Sequence, residues 1–300
     1  MTDASGAVDR FSGFADLYDS VRPTPPDAIG PLLCRYANEP SPRVVDLGSG
    51  TGLSSRWAAT WARSVIGVEP NDDMRAVATA QQVESVAYQS GFSFATDLPD
   101  ASADVVIAVQ AMHWMEPVST LAEVARIMRP GGVFASFDAD WPPVAGLARA
   151  ESAWSALDGL VRTNAPHTED SVKAWPRCEH LANMVASNQF AWCRELFLHQ
   201  TEAGGVDRFI ALLQSQGGYQ SLLKQGRSLA DIGADIFERE VRAAYAESTA
   251  DHGITLFLES ARRRDDVVVL CTESSQHTRD ISTDRSLLLG YGGSHIGGGR

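Results

Sequence analysis

From residue 43 onward, short apolar runs rich in β-branched residues alternate with stretches in which apolar positions recur every three or four residues. Arg43 to Leu47, Ser64 to Glu69, Asp104 to Val109 and Val133 to Asp138 have the length and composition of buried strands. Val86 to Gln89 is a weaker fifth, and Leu53 to Arg63, Asp72 to Gln82 and Val118 to Met128 read as amphipathic helices. Strands alternating with helices predict βαβ units, hence an α/β fold with a mostly parallel sheet, helices on both faces and right-handed crossovers.

The flanks change character. Phe11, Phe14, Leu17 and Tyr18 are spaced to share one face of a short helix, so residues 1–42 predict a docking helical arm, broken at Pro23, Pro25 and Pro26 and resumed to about Tyr36. After the core at 43–140, residues 141–189 carry Trp141, Trp154 and Trp175 and predict a helical cap inserted over the sheet. In residues 190–271, Phe190 to Gln200 and Ile254 to Ala261 are expected to complete a seven-stranded sheet. Helices near Val206 to Gln216, Tyr219 to Lys224 and Leu229 to Ala246 separate them. The glycine-crowded end, 272–300, predicts a disordered tail.

The 300 residues carry a formal charge of −13, and their one basic cluster, Arg262-Arg263-Arg264, is followed by two aspartates. Nucleic acid is therefore an unexpected partner, since phosphate neutralisation supplies most non-specific affinity for it. The start lacks the basic and then apolar segments of a signal peptide, and no run is long enough to span a bilayer, so a cytoplasmic protein without a membrane partner is expected. Cys34, Cys178, Cys193 and Cys271 form no CxxC pair and read as buried thiols, with no metal implied. His167, His180, His199, His252, His277 and His295 show no i, i+4 partner or clustered acid in the sequence.

Chemistry concentrates in Val44-Val45-Asp46-Leu47-Gly48-Ser49-Gly50-Thr51-Gly52-Leu53, a strand running through a glycine turn into a helix. Gly48 and Gly50 let the backbone adopt positive φ and approach a ligand, while the N–H groups opening the helix face it. Leu53 stands where the third glycine of a dinucleotide fingerprint belongs, which disfavours a nicotinamide oxidoreductase. Glu69 ends the next strand, where an acid hydrogen-bonds ribose hydroxyls, and this suits an adenosine ligand.

These residues resemble the class I S-adenosylmethionine-dependent methyltransferases, whose first motif is matched by Asp46 to Gly52 and whose ribose acid is matched by Glu69 in Val65-Ile66-Gly67-Val68-Glu69-Pro70. Leu98-Pro99-Asp100 with Ala103 to Val106, and Leu121 to Gly132, are similar to the family's fourth strand and to the approach to its fifth. Phe11 to Pro23 and Gln110-Ala111-Met112-His113-Trp114 resemble the small-molecule subgroup that includes trans-aconitate methyltransferases. The resemblance implies a Rossmann-like core that binds S-adenosylmethionine and releases S-adenosylhomocysteine. It assigns cofactor contacts to Tyr18, Asp46, Gly48, Ser49, Gly50, Glu69, Pro70, Met74, Phe94, Ala95 and Gln110, with Tyr18 and Arg22 closing over cofactor or substrate. Phe94 stands where many members have an acid for the adenine amino group, so adenine would be held by stacking and backbone contacts, or by Asp97.

Methyl transfer from a sulfonium is an in-line displacement that needs positioning and water exclusion more than a nucleophilic side chain. A carboxylate of a small-molecule acceptor is already ionised and needs a cation, for which Arg22 is the candidate; a hydroxyl needs a base, for which His113, just past the fourth strand, is the candidate. The alternative for His113 and Trp114 is a packed wall beside the methionine moiety. Trp141, Trp154, Trp175 and Trp192 either line an apolar acceptor pocket or fill the cap, Trp141 being favoured for the pocket. Methylation of oxygen is expected; nitrogen or carbon methylation, and cofactor binding without methyl transfer, are the competing readings.

Overall fold

The computed structural model describes residues 12–139, 141–164, 174–248, 254–258 and 268–272. Phe11, His167, His252, His277, His295, the Arg262 cluster and the segment beyond Thr272 lie outside the described residues. Seven strands form the main sheet: β1 (Arg43–Leu47), β2 (Ser64–Val68), β3 (Val86–Gln89), β4 (Ala103–Val109), β5 (Met128–Phe137), β6 (Trp192–Leu196) and β9 (Val268–Thr272). Their spatial order is β3-β2-β1-β4-β5-β9-β6. The first five run parallel and β9 alone is reversed, so the fold is Rossmann-like, with the strand order switching between β1 and β4.

The period-2 pattern of the strands separates two apolar layers. Val44, Val65, Val105, Ile107 and Val133 pack against Ile29 and Leu33 of α2 (Ile29–Ala37) and Trp57 of α3 (Leu53–Ala58). Val45, Val68, Val106 and Phe134, one position on, pack against Leu121, Val124 and Ile127 of α5 (Pro117–Ile127) and Met184 of α7 (His180–Ala186). Between β2 and β3 lies α4 (Asp72–Ala80), capped by the Asn71 side chain, which accepts from the Met74 N–H.

A helical layer has its own core. It comprises α6 (Ala148–Asn164), α8 (Val206–Gln214), α9 (Gly217–Lys224) and α10 (Ala234–Glu247), centred on Trp154, Phe209, Phe237 and Val241. The arm helix α1 (Ala15–Val21) joins this core through Leu17 and Val21.

Four expectations are corrected. Ile254–Leu258 (β8) pairs not with the main sheet but with Leu198–Glu202 (β7) in a separate two-stranded sheet, and Val268–Thr272 takes its place. The Phe190 to Gln200 run is likewise divided at Phe197, half-exposed, with β6 on one sheet and β7 on the other. Both apolar runs have strand character, and only pairing register decides which joins the sheet. Helix α3 ends at Ala58 rather than Arg63, because the backbone tightens into i→i+3 bonds at Thr60 and Trp61 that seat the Trp61 ring against Gly30. The thiols of Cys34 and Cys193 are half-buried and that of Cys178 is exposed, so these three are not sealed in the core.

Candidate active site

The glycine turn leaves the carboxyl end of β1 at the switch point. Gly48, Gly50 and Gly52 have φ of 67°, 54° and 83°. A Cβ on Gly48 would meet Ala111 Cβ at 2.8 Å, whereas one on Gly50 would meet nothing within 4 Å, so the turn is packed on one side and open on the other. Beneath it, Oδ2 of Asp46 accepts from the Ser54 and Ser55 hydroxyls at 2.6 Å each. Burial, opposed by those hydroxyls and abetted by Glu69, raises the Asp46 carboxyl to about 6. Its Oδ1 and the hydroxyls of Ser49 and Thr51 are buried without hydrogen-bond partners among the described residues.

Glu69 follows β2 and turns toward the same opening. Its Oε2 accepts from Gly50 N–H at 2.9 Å and its Oε1 from Asn71 N–H at 2.8 Å, and burial pushes its pKa upward. Each oxygen keeps a lone pair, so the carboxylate can accept ribose hydroxyls while it braces the turn. Orphaned acceptors, an open glycine and a held carboxylate fit a nucleoside ligand with a cationic amino-acid tail. Met74, buried, and Pro70, half-buried, flank Glu69.

The arm is tied down over this turn. Arg56 donates to Asp19 at 2.6 Å and to Thr51 O at 2.8 Å, so one guanidinium joins α1 to the glycine turn. Ser12 accepts from Asn71 Nδ2 at 3.0 Å. At the end of α1, Arg22 donates to Ser215 Oγ and O, both at 3.0 Å, and its guanidinium lies 4.7 Å from the Tyr18 ring centre and 4.8 Å from that of Trp141. It is partly buried, burial pulls its pKa down, and the Arg177 charge acts in the same sense. Among the described residues no carboxylate pairs with it. Tyr18 and Arg22, expected to close together, thus stack with Trp141.

At the carboxyl end of β4, Gln110 takes φ 54°, an uncommon left-handed conformation for a side-chain-bearing residue, while its N–H donates to Phe137 O at 2.7 Å. The chain then enters a single turn, Met112–Trp114, that buries His113. His113 Nδ1 lies 3.1 Å from Oδ1 of Asp138, which follows β5, and His180 Nε2 lies 3.3 Å from Oδ2 of the same carboxylate. The expectation that His180 has no clustered acid is thereby corrected, since strand β5 brings one from 42 positions away, 180 less 138. Arg177 Nε is 3.3 Å from Asp138 Oδ1. Burial would raise the Asp138 carboxyl, but His113, His180 and the Arg177 charge hold it well below the usual carboxylate range, and burial lowers His113. Asp138 and Arg177 were not singled out by sequence; each is an ordinary polar residue until the strand ends meet.

Other predicted positions stand apart. Phe94 is exposed and stacks on Phe92 with ring centres 5.3 Å apart; Ala95 and Asp97 are also exposed. This loop is held from beneath by Glu123, which accepts from Thr96 N–H at 2.9 Å and from its hydroxyl at 2.5 Å. Trp114, half-buried, adjoins His113 with ring centres 4.8 Å apart. Trp154 fills the helical core, and Trp192 packs on Tyr36 at 5.3 Å, away from the turn. No helix among the described residues is long and apolar enough to cross a membrane.

Residues 45–136 match the methyltransferase domain family. An uncharacterised methyltransferase of Mycobacterium tuberculosis is 37% identical over 123 residues, covering 41% of this chain and 49% of that protein. The chain thus spans about half the length of the first such relatives. A malonyl-[acyl-carrier protein] O-methyltransferase of Pectobacterium atrosepticum is 30% identical over 179 residues, covering 58% of this chain and 68% of that one. A solved structure described as a type II methyltransferase from Anaeromyxobacter dehalogenans superposes with a TM-score of 0.59 at 22% identity, covering 83% of this chain and 96% of that one; this likeness is one of fold.

Proposed function

Because the chain belongs to the class I S-adenosylmethionine-dependent methyltransferases, we propose that it methylates an oxygen of a small acidic acceptor, a carboxylate being the group Arg22 favours. The carrying observation is the partly buried Arg22 guanidinium, held between two aromatic rings at the end of the arm helix with no acidic partner among the described residues. A charge partly withdrawn from water without a counter-ion is unfavourable, so the site suits an anion that arrives with the substrate. The name of the Pectobacterium relative is in keeping with this, since a malonyl group carries a free carboxylate.

When bound, S-adenosylmethionine would supply an electrophilic sulfonium methyl group, the acceptor oxygen–methyl bond forming as the sulfur–methyl bond breaks to leave S-adenosylhomocysteine. Asp46 and the turn at Gly48, Ser49 and Gly50 hold its amino-acid end, and Glu69 its ribose. Gln110 borders the transfer line at the end of β4, and Tyr18 with the arm excludes water. Phe94 and Ala95 offer an aromatic face and backbone groups to adenine. Arg22 orients the acceptor carboxylate, and Trp141 and Trp114 flank it.

A second reading, hydroxyl methylation, is favoured by one observation: His113 is buried, kept neutral by that burial and adjacent to Asp138, as a general base would be.

Calorimetric titration with S-adenosylhomocysteine tests the cofactor assignment. Glu69→Ala is expected to weaken binding about 10- to 100-fold, the worth of one or two hydrogen bonds to a charged group, and unchanged affinity overturns the ribose role. In a screen of carboxylic acids and alcohols, Arg22→Gln should raise KM for the acids far more than it changes kcat.

A further inference from the structure

Asp138 is 1% exposed and His180 2%, yet among the described residues neither oxygen of the one and neither ring nitrogen of the other makes a well-aligned hydrogen bond. A buried carboxylate normally fills its lone pairs with donors. Here three nitrogens approach it, that of His113 at 3.1 Å and those of His180 and Arg177 at 3.3 Å, without hydrogen-bond alignment. One donor atom from each of the three side chains lies within 4.8 Å of the other two. Ligand atoms on a four-coordinate zinc, bound at about 2.0–2.1 Å, sit roughly 3.3–3.4 Å apart, so the two separations from Asp138 match the edges of a coordination polyhedron, and the third pair lies within 4.8 Å.

We propose that His113, Asp138 and His180 form a divalent-metal site of the zinc class, with two imidazoles and one carboxylate as ligands. Nitrogen with carboxylate donors suits zinc or a similar borderline ion rather than calcium or magnesium. Asp138 meets the two imidazoles through different oxygens, so side-chain rotation closes the three onto an ion.

Three segments converge on the site: the turn after β4, the residue after β5 and the start of α7. The last is docked by the Trp175 N–H, which donates to His113 O at 2.7 Å, so the approach of His180 is built into the backbone. Arg177 is the competing cation. It lies 3.3 Å from Asp138 Oδ1 and 3.4 Å from His113 Nε2, supplying a counter-charge in the ion-free protein. Its side chain is 27% exposed and can withdraw into solvent when an ion enters.

This site is independent of the cofactor turn and stands whether or not the acceptor is a carboxylate. It excludes His113 as a general base while an ion is bound, because the coordinating nitrogen no longer has a lone pair to offer.

The test uses the untagged full chain, stripped with a chelator, dialysed against zinc or cobalt and assayed for bound metal and for cobalt absorption. One ion per chain is expected. His180→Ala and Asp138→Asn should each weaken it by more than the roughly 10- to 100-fold that losing an outer-shell partner costs. Arg177→Gln, which removes the competing charge, should tighten it about tenfold. S-adenosylhomocysteine affinity in His180→Ala, read by calorimetry, reports retained folding and separates this result from the methyltransferase reading. No bound ion in the wild type, or equal retention by His180→Ala and wild type, overturns the proposal.

Discussion

At Gly50 conformation and function can be separated by a single substitution. The position has φ 54° and open space where a side chain would project. Gly50→Ala is expected to cost only about 1 kcal/mol of stability, the ordinary penalty of a left-handed alanine, while markedly weakening S-adenosylhomocysteine binding; thermal melts and calorimetry check the two halves. Gly48→Ala should destabilise more, because its Cβ runs into Ala111 at 2.8 Å and Met115 at 2.9 Å.

Asp46 adds a pH signature at the same scale. Its folded pKa, about 6, lies above the usual unfolded value. The folded state therefore binds more protons between about pH 4 and 6, and stability falls as pH rises through that window. Asp46→Asn should flatten this slope in urea titrations run at several pH values.

Among the elements, the amino ends of β1 and β4 are joined by charge. Asp104 is ion-paired with Arg43 at 3.2 Å, Arg63 at 3.3 Å and Arg129 at 2.5 Å, and also accepts from the Arg43 N–H at 2.7 Å. Burial would raise its pKa, yet these partners hold it at about 2. Being depressed, it contributes stability above the unfolded value near 4 that is lost as pH falls toward 2. Asp104→Asn should cost about 2 kcal/mol at neutral pH, an upper figure because the arginines are partly in water. The loss should shrink to about half by pH 3, midway between the folded and unfolded values, and denaturant titrations at pH 7 and pH 3 check both. These residues lie at the end of the sheet opposite the glycine turn, so cofactor affinity should not change.

The whole molecule carries a helical core distinct from the two sheet layers. Trp154, 2% exposed, has Trp141, Phe209 and Phe237 around it with ring centres 5.2–6.3 Å away. Trp154→Ala is expected to cost about 3–5 kcal/mol. In hydrogen exchange the amides of α6, α8 and α10 should lose protection while those of β1 and β4 keep it. Because Trp141 and Arg22 stack beside this core, the variant should also weaken acceptor binding more than cofactor binding.

The parallel core, the glycine turn, Asp46 and Glu69 were legible in the sequence because each is a local pattern: a period of two, a period near 3.6, a strand ending in glycines, an acid ending the next strand. Of the arm's expected apolar face, Leu17 packs on the helical core and Phe14 is buried. Tertiary structure alone decided three things. It chose Val268–Thr272 over Ile254–Leu258 for the seventh strand, since apolar runs of equal character compete for one edge and pairing selects between them. It stacked Arg22 on Trp141 from residues 119 positions apart, 141 less 22. It gathered His113, Asp138, Arg177 and His180 at the strand ends. Periodicity reports which face a residue occupies, but which strand ends share a rim depends on strand order, a long-range property that no local window contains.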